Sequence, residues 1–141
     1  MTIKEEGEAF SSESGADRSL SEPCVMVIFG ASGDLTKRLL VPSLYNLACD
    51  DLLSSNFAVL GTGRSKVTNE AFRASMASET TGLRAFHTRH EFDEVVSDEL
   101  LARFYFESAN IDVEDFTALK KTVQALDKKY QAGGNILFYF A

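Results

Sequence analysis

The chain of 141 residues is long enough for one domain with a hydrophobic core, and its 45% hydrophobic and 25% charged residues are typical of a soluble globular protein. Its net charge of −7 argues against a nucleic-acid-binding or anionic-membrane surface. No apolar run approaches the roughly 18 residues that span a bilayer, and the N-terminus lacks the basic-then-apolar order of a signal peptide. Cys24 and Cys49 are isolated, which predicts reduced packing residues and a cytoplasmic location.

Residues 1–22 are predicted to form a flexible acidic tail. They hold six acidic and two basic residues, several serines and little apolar content. Such a segment cannot bury enough surface to offset the entropy lost on ordering. The folded domain is therefore expected to span residues 23–141.

Apolar runs predict strands over residues 25–29, 57–60 and 135–140, with a shorter strand near 105–108. Continuous β-branched and aromatic runs are typical of strands that are covered on both faces. Helical patterns lie between these strands. Their alternation predicts βαβ units, and hence an α/β, Rossmann-like, doubly wound parallel sheet with helices on both faces.

The first two helices have recognisable starts. Pro42 suits a first helical turn, where its missing N–H costs nothing. The side of this helix expected to be buried carries Leu44, Leu47, Ala48 and Leu52. The second helix is predicted to begin after Thr68 as N-cap, with Val67 and Phe72 forming a hydrophobic staple.

A third helix is predicted to begin near Ser97, and the clearest helical pattern covers residues 114–130. Its apolar positions recur every three or four residues, at Phe116, Leu119, Val123, Leu126 and Tyr130. Asp112 is predicted to cap its start, and Gly133 to follow its end.

Gly30-Ala31-Ser32-Gly33 lies where the first strand gives way to a helix. Backbone N–H groups at this point of a doubly wound fold face an anion, and glycine permits close approach of a pyrophosphate. Ser32 can donate a hydrogen bond, and Lys37 and Arg38 add positive charge. The spacing matches neither G-x-G-x-x-G nor the P-loop pattern, so a corner without a ligand stays an alternative.

The end of the second strand carries basic rather than acidic residues. An NAD-binding domain usually places an acid there to hold the ribose 2′-hydroxyl, but none occurs before Glu70. Arg64 can pair with a 2′-phosphate, assisted by Ser65 and Lys66. These residues favour NADP, the alternative being that the two basic residues are solvated loop charges.

Together these segments resemble the N-terminal part of the NADP-dependent glucose-6-phosphate dehydrogenase family, in its bacterial form. The family opens with G-x-x-G-D-L, a basic cluster and a proline, and has G-x-x-R-S after its second strand. The matching residues are Gly30, Gly33, Asp34, Leu35, Lys37, Arg38 and Pro42, and then Gly61, Arg64 and Ser65. The likeness runs from about Val25 through Ala141.

The resemblance implies oxidation of glucose 6-phosphate to 6-phosphogluconolactone, with hydride transfer to NADP, in the pentose phosphate pathway. It implies that Arg64, with Ser65, binds the 2′-phosphate and that Asp34 caps backbone N–H groups. Contacts to the pyrophosphate and adjacent ribose would come from Gly30, Ala31, Ser32, Gly33, Asp34, Leu35, Thr36 and Lys37. It also implies a cytoplasmic enzyme that forms a homo-oligomer through a C-terminal domain not contained in this chain.

The chain departs from the family in two ways. Leu39 stands where many members carry a lysine near the substrate. The family's histidine base and phosphate-binding lysine belong to a downstream motif that is absent here, so no catalytic residue is predicted. His87 and His90 are expected at a surface or in packing rather than at a metal.

Two alternatives to a dehydrogenase domain of this family remain. One is a non-catalytic NADP-sensing module. The other is an extended short-chain dehydrogenase, which would want a glycine in place of Thr36 and a Tyr-x-x-x-Lys pair that none of the tyrosines provides.

Overall fold

The computed structural model describes residues 21–31, 33–78, 83, 91–110, 112 and 114–141. Within them the chain forms one parallel sheet in the order β3-β2-β1-β4. The strands are β1 Cys24–Phe29, β2 Phe57–Gly63, β3 Phe104–Ser108 and β4 Ile136–Phe140. The predicted doubly wound parallel sheet is confirmed, and β2 extends further than the apolar run indicated.

Four α-helices connect the strands. A π-helical turn, Thr36–Leu40, continues directly into the first of them. The helices are α1 Val41–Cys49, α2 Asn69–Ala77, α3 Glu94–Leu101 and α4 Thr117–Tyr130.

The two faces of the sheet carry separate hydrophobic cores. Side chains of β1 alternate between them, so that Met26 and Ile28 pack on one side and Val25 and Val27 on the other. The first core includes residues of α1, α2 and α3, whereas α4 packs on the second. This alternation explains why β1 is apolar throughout, since a strand covered on both faces has no solvent-facing positions.

The buried face of α1 differs from the prediction at one position. Leu44 is buried, but Leu47 is 38% exposed, and Tyr45 is fully buried instead. Successive residues of a helix are rotated by about 100°. The face centred on Val41, Leu44 and Tyr45 therefore excludes Leu47.

The predicted start of α2 is confirmed and the start of α3 is corrected. Thr68 Oγ1 accepts a hydrogen bond from the Ala71 N–H at 3.0 Å. The third helix begins at Glu94 rather than near Ser97, because Asp93 Oδ1 accepts from the Val95 and Val96 N–H groups. Ser97 is buried within the helix.

The start of α4 is also corrected. The helix begins at Thr117, because Glu114 has a φ of 52° and Asp115 Oδ1 accepts from the Thr117 N–H at 3.2 Å. Asp112 does not cap this helix. Its carboxylate instead pairs with a residue at the end of β2, described below.

The N-terminal segment contacts the domain by Ser21. The Ser21 N–H donates to the Leu52 carbonyl at 2.8 Å, and Ser21 Oγ accepts from the Ser54 N–H at 3.0 Å. Residues 1–20 of the predicted tail lie outside the described residues.

The strand β4 forms an edge that is more exposed than its sequence indicated. Phe138 is 55% exposed and Phe140 is 72% exposed, although Phe140 stacks on Phe29 with ring centroids 4.8 Å apart. The other edge of β4 has no partner strand among the described residues. Across those residues, no helix combines the length and apolar character needed to cross a membrane.

Gly61 lies where β2 meets the turn after β1. A Cβ at this position would lie 2.7 Å from Ala31 Cβ and 2.7 Å from the Phe72 ring, which is closer than such atoms pack. Gly61 therefore allows β2, the turn after β1 and α2 to meet with no side chain between them.

We expect Gly61→Ala to destabilise the protein by about 1–3 kcal/mol, because the added methyl overpacks a filled core. Urea unfolding measures the change. Gly63→Ala is the matched control, since its added Cβ would be no closer than 3.9 Å to Phe106. Equal stability of the two variants would contradict the role assigned to Gly61.

Candidate functional site

The turn after β1 lies at the topological switch point of the sheet. From β1 the chain winds outward through β2 and β3, and α4 then carries it back to β4 on the other side of β1. The Ala141 N–H donates to the Phe29 carbonyl at 3.0 Å, so the end of β4 lies beside the turn. Ligands of open α/β sheets bind in the crevice at the carboxyl ends of such strands.

The two glycines of the turn have different geometric roles. Gly30 has a φ of +78°, a left-handed conformation that L side chains rarely adopt. Gly33 is exposed, and its N–H donates to the Gly30 carbonyl at 3.0 Å. A Cβ on Gly33 would lie 3.2 Å from that carbonyl oxygen. Gly30 is therefore required by the backbone, whereas Gly33 keeps the outer surface of the turn open.

The amide groups of the turn itself are mostly engaged. The Thr62 carbonyl of β2 accepts from the Gly30 N–H at 3.0 Å and from the Ala31 N–H at 3.3 Å. These two amides, predicted to face an anion, instead fasten the turn to β2. The first N–H groups of a helix have no intrahelical acceptor. The donors left for a phosphate are therefore those at the start of the helical segment, from Asp34 onward.

The charged residues beside the turn separate into a paired and an unpaired set. Asp34 Oδ2 lies 3.1 Å from Arg38 Nη1, with both side chains exposed. In the part of the chain that the structure describes, Asp34 makes this contact rather than the predicted cap on backbone N–H groups. Lys37 is half-buried and pairs with no described acid. Lys37 is therefore the cation left for an anion at this turn.

Two buried hydroxyl groups lie close to the turn in sequence or by contact. Thr36 Oγ1 and Thr62 Oγ1 have no hydrogen-bond partner among the described residues. Buried polar groups without partners are uncommon and concentrate at sites that hold water or ions. The Thr36 hydroxyl, together with the space that Gly33 leaves, fits a phosphate at this turn. Leu35 is 42% exposed, and Ser32 lies outside the described residues.

Arg64 directly follows β2, at the same edge of the sheet as the turn. Its guanidinium is 74% exposed, and Nη2 lies 2.7 Å from Asp112 Oδ2. The Arg64 carbonyl accepts from Ser108 Oγ at 3.3 Å, which connects this residue to the end of β3. Ser65 is exposed beside it. The structure thus brings the glycine turn and Arg64 to neighbouring strand ends, as predicted.

Sequence reasoning missed Asp112 as a site residue, because its position suggested a helix cap. A usable signal existed in the topology. Since β2 and β3 are neighbours and parallel, the loop after β3 must lie beside the residue that follows β2. An acid shortly after β3 is therefore placed near Arg64.

A tyrosine–lysine cluster lies at the opposite end of α4. Tyr105 Oη is 2.7 Å from Tyr130 Oη and accepts from Lys129 Nζ at 3.1 Å. Burial acts to raise the pKa of Tyr105, but hydrogen bonds with Tyr130 and Lys129 outweigh it and lower that pKa. Burial and the same tyrosine pair raise the pKa of Tyr130. Because α4 ends here, at the amino ends of the strands, the cluster is remote from the crevice.

Metal binding finds no support in the described ranges, where no group of three potential ligands occurs. His87 and His90, predicted not to bind a metal, lie outside those ranges.

Comparison with known proteins gives consistent matches. The family model described as "Glucose-6-phosphate dehydrogenase, NAD binding domain" matches residues 27–141. Glucose-6-phosphate 1-dehydrogenase of Chlamydia muridarum is 38% identical over 130 residues, covering 92% of this chain and 25% of the relative. The enzyme of Treponema pallidum is 39% identical over 120 residues, covering 84% and 23%. The chain thus spans about a quarter of the length of these relatives.

Solved structures show the same similarity. A glucose-6-phosphate dehydrogenase in complex with its substrate glucose-6-phosphate aligns with a TM-score of 0.71 and 28% identity, covering 87% of this chain and 25% of that chain. The enzyme of Mycobacterium avium aligns with a TM-score of 0.62 and 21% identity, over 85% and 23%, and shares the fold.

We expect Gly33→Val to weaken the binding of ADP at least about tenfold, because the isopropyl group blocks the helix N–H groups from the pyrophosphate. Its unfolding free energy should stay within about 1 kcal/mol of the unmodified protein, since the position is exposed. Titration calorimetry and urea unfolding measure the two quantities. Gly33→Ala is the matched control, with a smaller loss of affinity. Unchanged ADP affinity of the valine variant would contradict a phosphate site at this turn.

Proposed function

The chain belongs to the glucose-6-phosphate dehydrogenase family, and we propose that residues 23–141 form its NADP-binding domain. The observation that carries this proposal is the placement of two features at one edge of the sheet: the glycine turn after β1 and Arg64 after β2. A dinucleotide laid across these strand ends meets a cradle for its pyrophosphate and a cation for its adenosine ribose.

The pyrophosphate is assigned to the turn and the helical segment after it. Gly33 leaves room for its approach, the N–H groups from Asp34 onward donate to it, and Lys37 supplies charge. Gly30 and Ala31 contribute by shape, because their amides bond to Thr62. Within the range proposed from the resemblance, Ser32, Leu35 and Thr36 complete the set.

NADP rather than NAD is proposed because of the charges after β2. No acid of β2 or its following loop up to Lys66 is available to accept the ribose 2′-hydroxyl. Arg64 presents an exposed guanidinium, whose planar donors match a phosphate, and Ser65 adds a hydroxyl beside it.

For the complete protein we propose the oxidation of glucose 6-phosphate to the 6-phosphogluconolactone. Bound NADP supplies the hydride acceptor. The residues of this chain hold and orient that acceptor, and catalytic residues are assigned to sequence beyond it. The cytoplasmic location and the homo-oligomer are proposed with the family. The matches to one named dehydrogenase favour this function over a sensing module or a short-chain dehydrogenase.

We expect Arg64→Ala to weaken NADP binding by about 1.5–3 kcal/mol, the value of hydrogen bonds to charged groups, and to change NAD binding little. Calorimetric titration with each coenzyme measures the difference. Lys128→Ala is the charge-matched control, because it removes one positive charge from the far end of α4. Equal losses for NADP and NAD would remove the assignment of Arg64 to the 2′-phosphate.

The 141-residue chain should bind NADP without oxidising glucose 6-phosphate, because it lacks the family's catalytic base. Absorbance of the reduced nicotinamide, followed with both substrates present, measures turnover. Turnover at rates typical of enzymes would show that the catalytic residues lie within this chain.

A further inference from the structure

The guanidinium assigned to the 2′-phosphate is already engaged by an acid of the chain itself. Arg64 Nη2 lies 2.7 Å from Asp112 Oδ2, a charge-assisted hydrogen bond. A carboxylate and a phosphate are recognised by the same planar set of guanidinium donors. Both anions therefore compete for one group.

Both partners of this ion pair are held by their backbones. The Ala109 N–H donates to the Gly63 carbonyl at 2.9 Å, and Ser108 Oγ donates to the Arg64 carbonyl at 3.3 Å. On the other side, the Asp112 N–H donates to Asn110 Oδ1 at 3.0 Å. These bonds join the loop after β3 to the end of β2. The proximity of the two side chains is thus built into the backbone.

The pair is nevertheless weak enough to exchange. The Arg64 and Asp112 side chains are 74% and 65% exposed, and ion pairs in water contribute little. A phosphate monoester carries a charge of about −1.5 to −2 near neutral pH, against −1 for a carboxylate. The 2′-phosphate can therefore displace Asp112, at the cost of the pair.

On the basis of the proposed function, we propose that Asp112 sets the coenzyme preference of this domain. Its carboxylate occupies Arg64 in the absence of a 2′-phosphate and must be displaced by one, which lowers the affinity for NADP. A coenzyme without this phosphate leaves the pair intact, so its affinity does not depend on Asp112. Asp112 is thus a specificity-determining residue that acts through Arg64.

The test compares adenosine 2′,5′-bisphosphate with AMP, two probes that differ only in the 2′-phosphate. Calorimetric titration of Asp112→Asn should show about two- to fivefold tighter binding of the bisphosphate, the range expected of an exposed pair, and unchanged binding of AMP. Glu114→Gln is the matched control, since it removes one negative charge from the same loop and should alter neither affinity. If Asp112→Asn does not fold, Asp112→Ser decides by the same titration.

The double variant Arg64→Ala with Asp112→Asn separates displacement from simple repulsion. With Arg64 absent, removal of the carboxylate should bring no further gain in bisphosphate affinity. An equal gain in both backgrounds would mean that Asp112 repels the phosphate directly, and would overturn the proposal.

Failure of this inference is distinct from failure of the proposed function. If Arg64→Ala selectively weakens the bisphosphate but Asp112→Asn changes nothing or weakens it, the role of Asp112 is overturned and the NADP site stands. If Arg64→Ala weakens both probes equally or neither, both assignments fall.

Discussion

The close contact between β2 and the turn after β1 is the constraint on which the rest of the structure depends. At Gly61 there is no room for a side chain between Ala31 and Phe72, so the turn, the strand and α2 pack directly together. The next residue, Thr62, gives its carbonyl to two amides of the turn. The conformation of the turn, the position of α2 and the course of the loop after β2 are therefore determined by one region of close packing.

Features encoded by neighbouring residues were predictable from the sequence. The start of α2 needs only Thr68 and residues within one helical turn of it, and the apolar run of β1 reflects its burial on both faces. The start of α3 was not, because Ser97 and Asp93 are both good caps. Asp93 is positioned by a long-range contact, in which its N–H donates to Tyr45 Oη at 2.7 Å.

The candidate site divides in the same way. The glycine turn and the basic residue after the second strand are visible in the sequence as motifs. Which amides of the turn remain free depends on Thr62, and which cations remain free depends on Asp34 and Asp112. Asp112 approaches Arg64 only because β2 and β3 are neighbours, a property of the sheet order that no local pattern contains.

The attachment of the turn to Thr62 also makes β2 a ruler. Thr62 fixes one phosphate-binding position, and Arg64, two residues later, carries the other. Two residues of extended chain span at most about 7 Å, so the backbone separation between these anchors is nearly constant. The distance between the two anchors is thus a property of strand geometry and not of side-chain rotamers. Substitutions at the surface can change the strength of either anchor, but they leave the length that the domain measures unaltered.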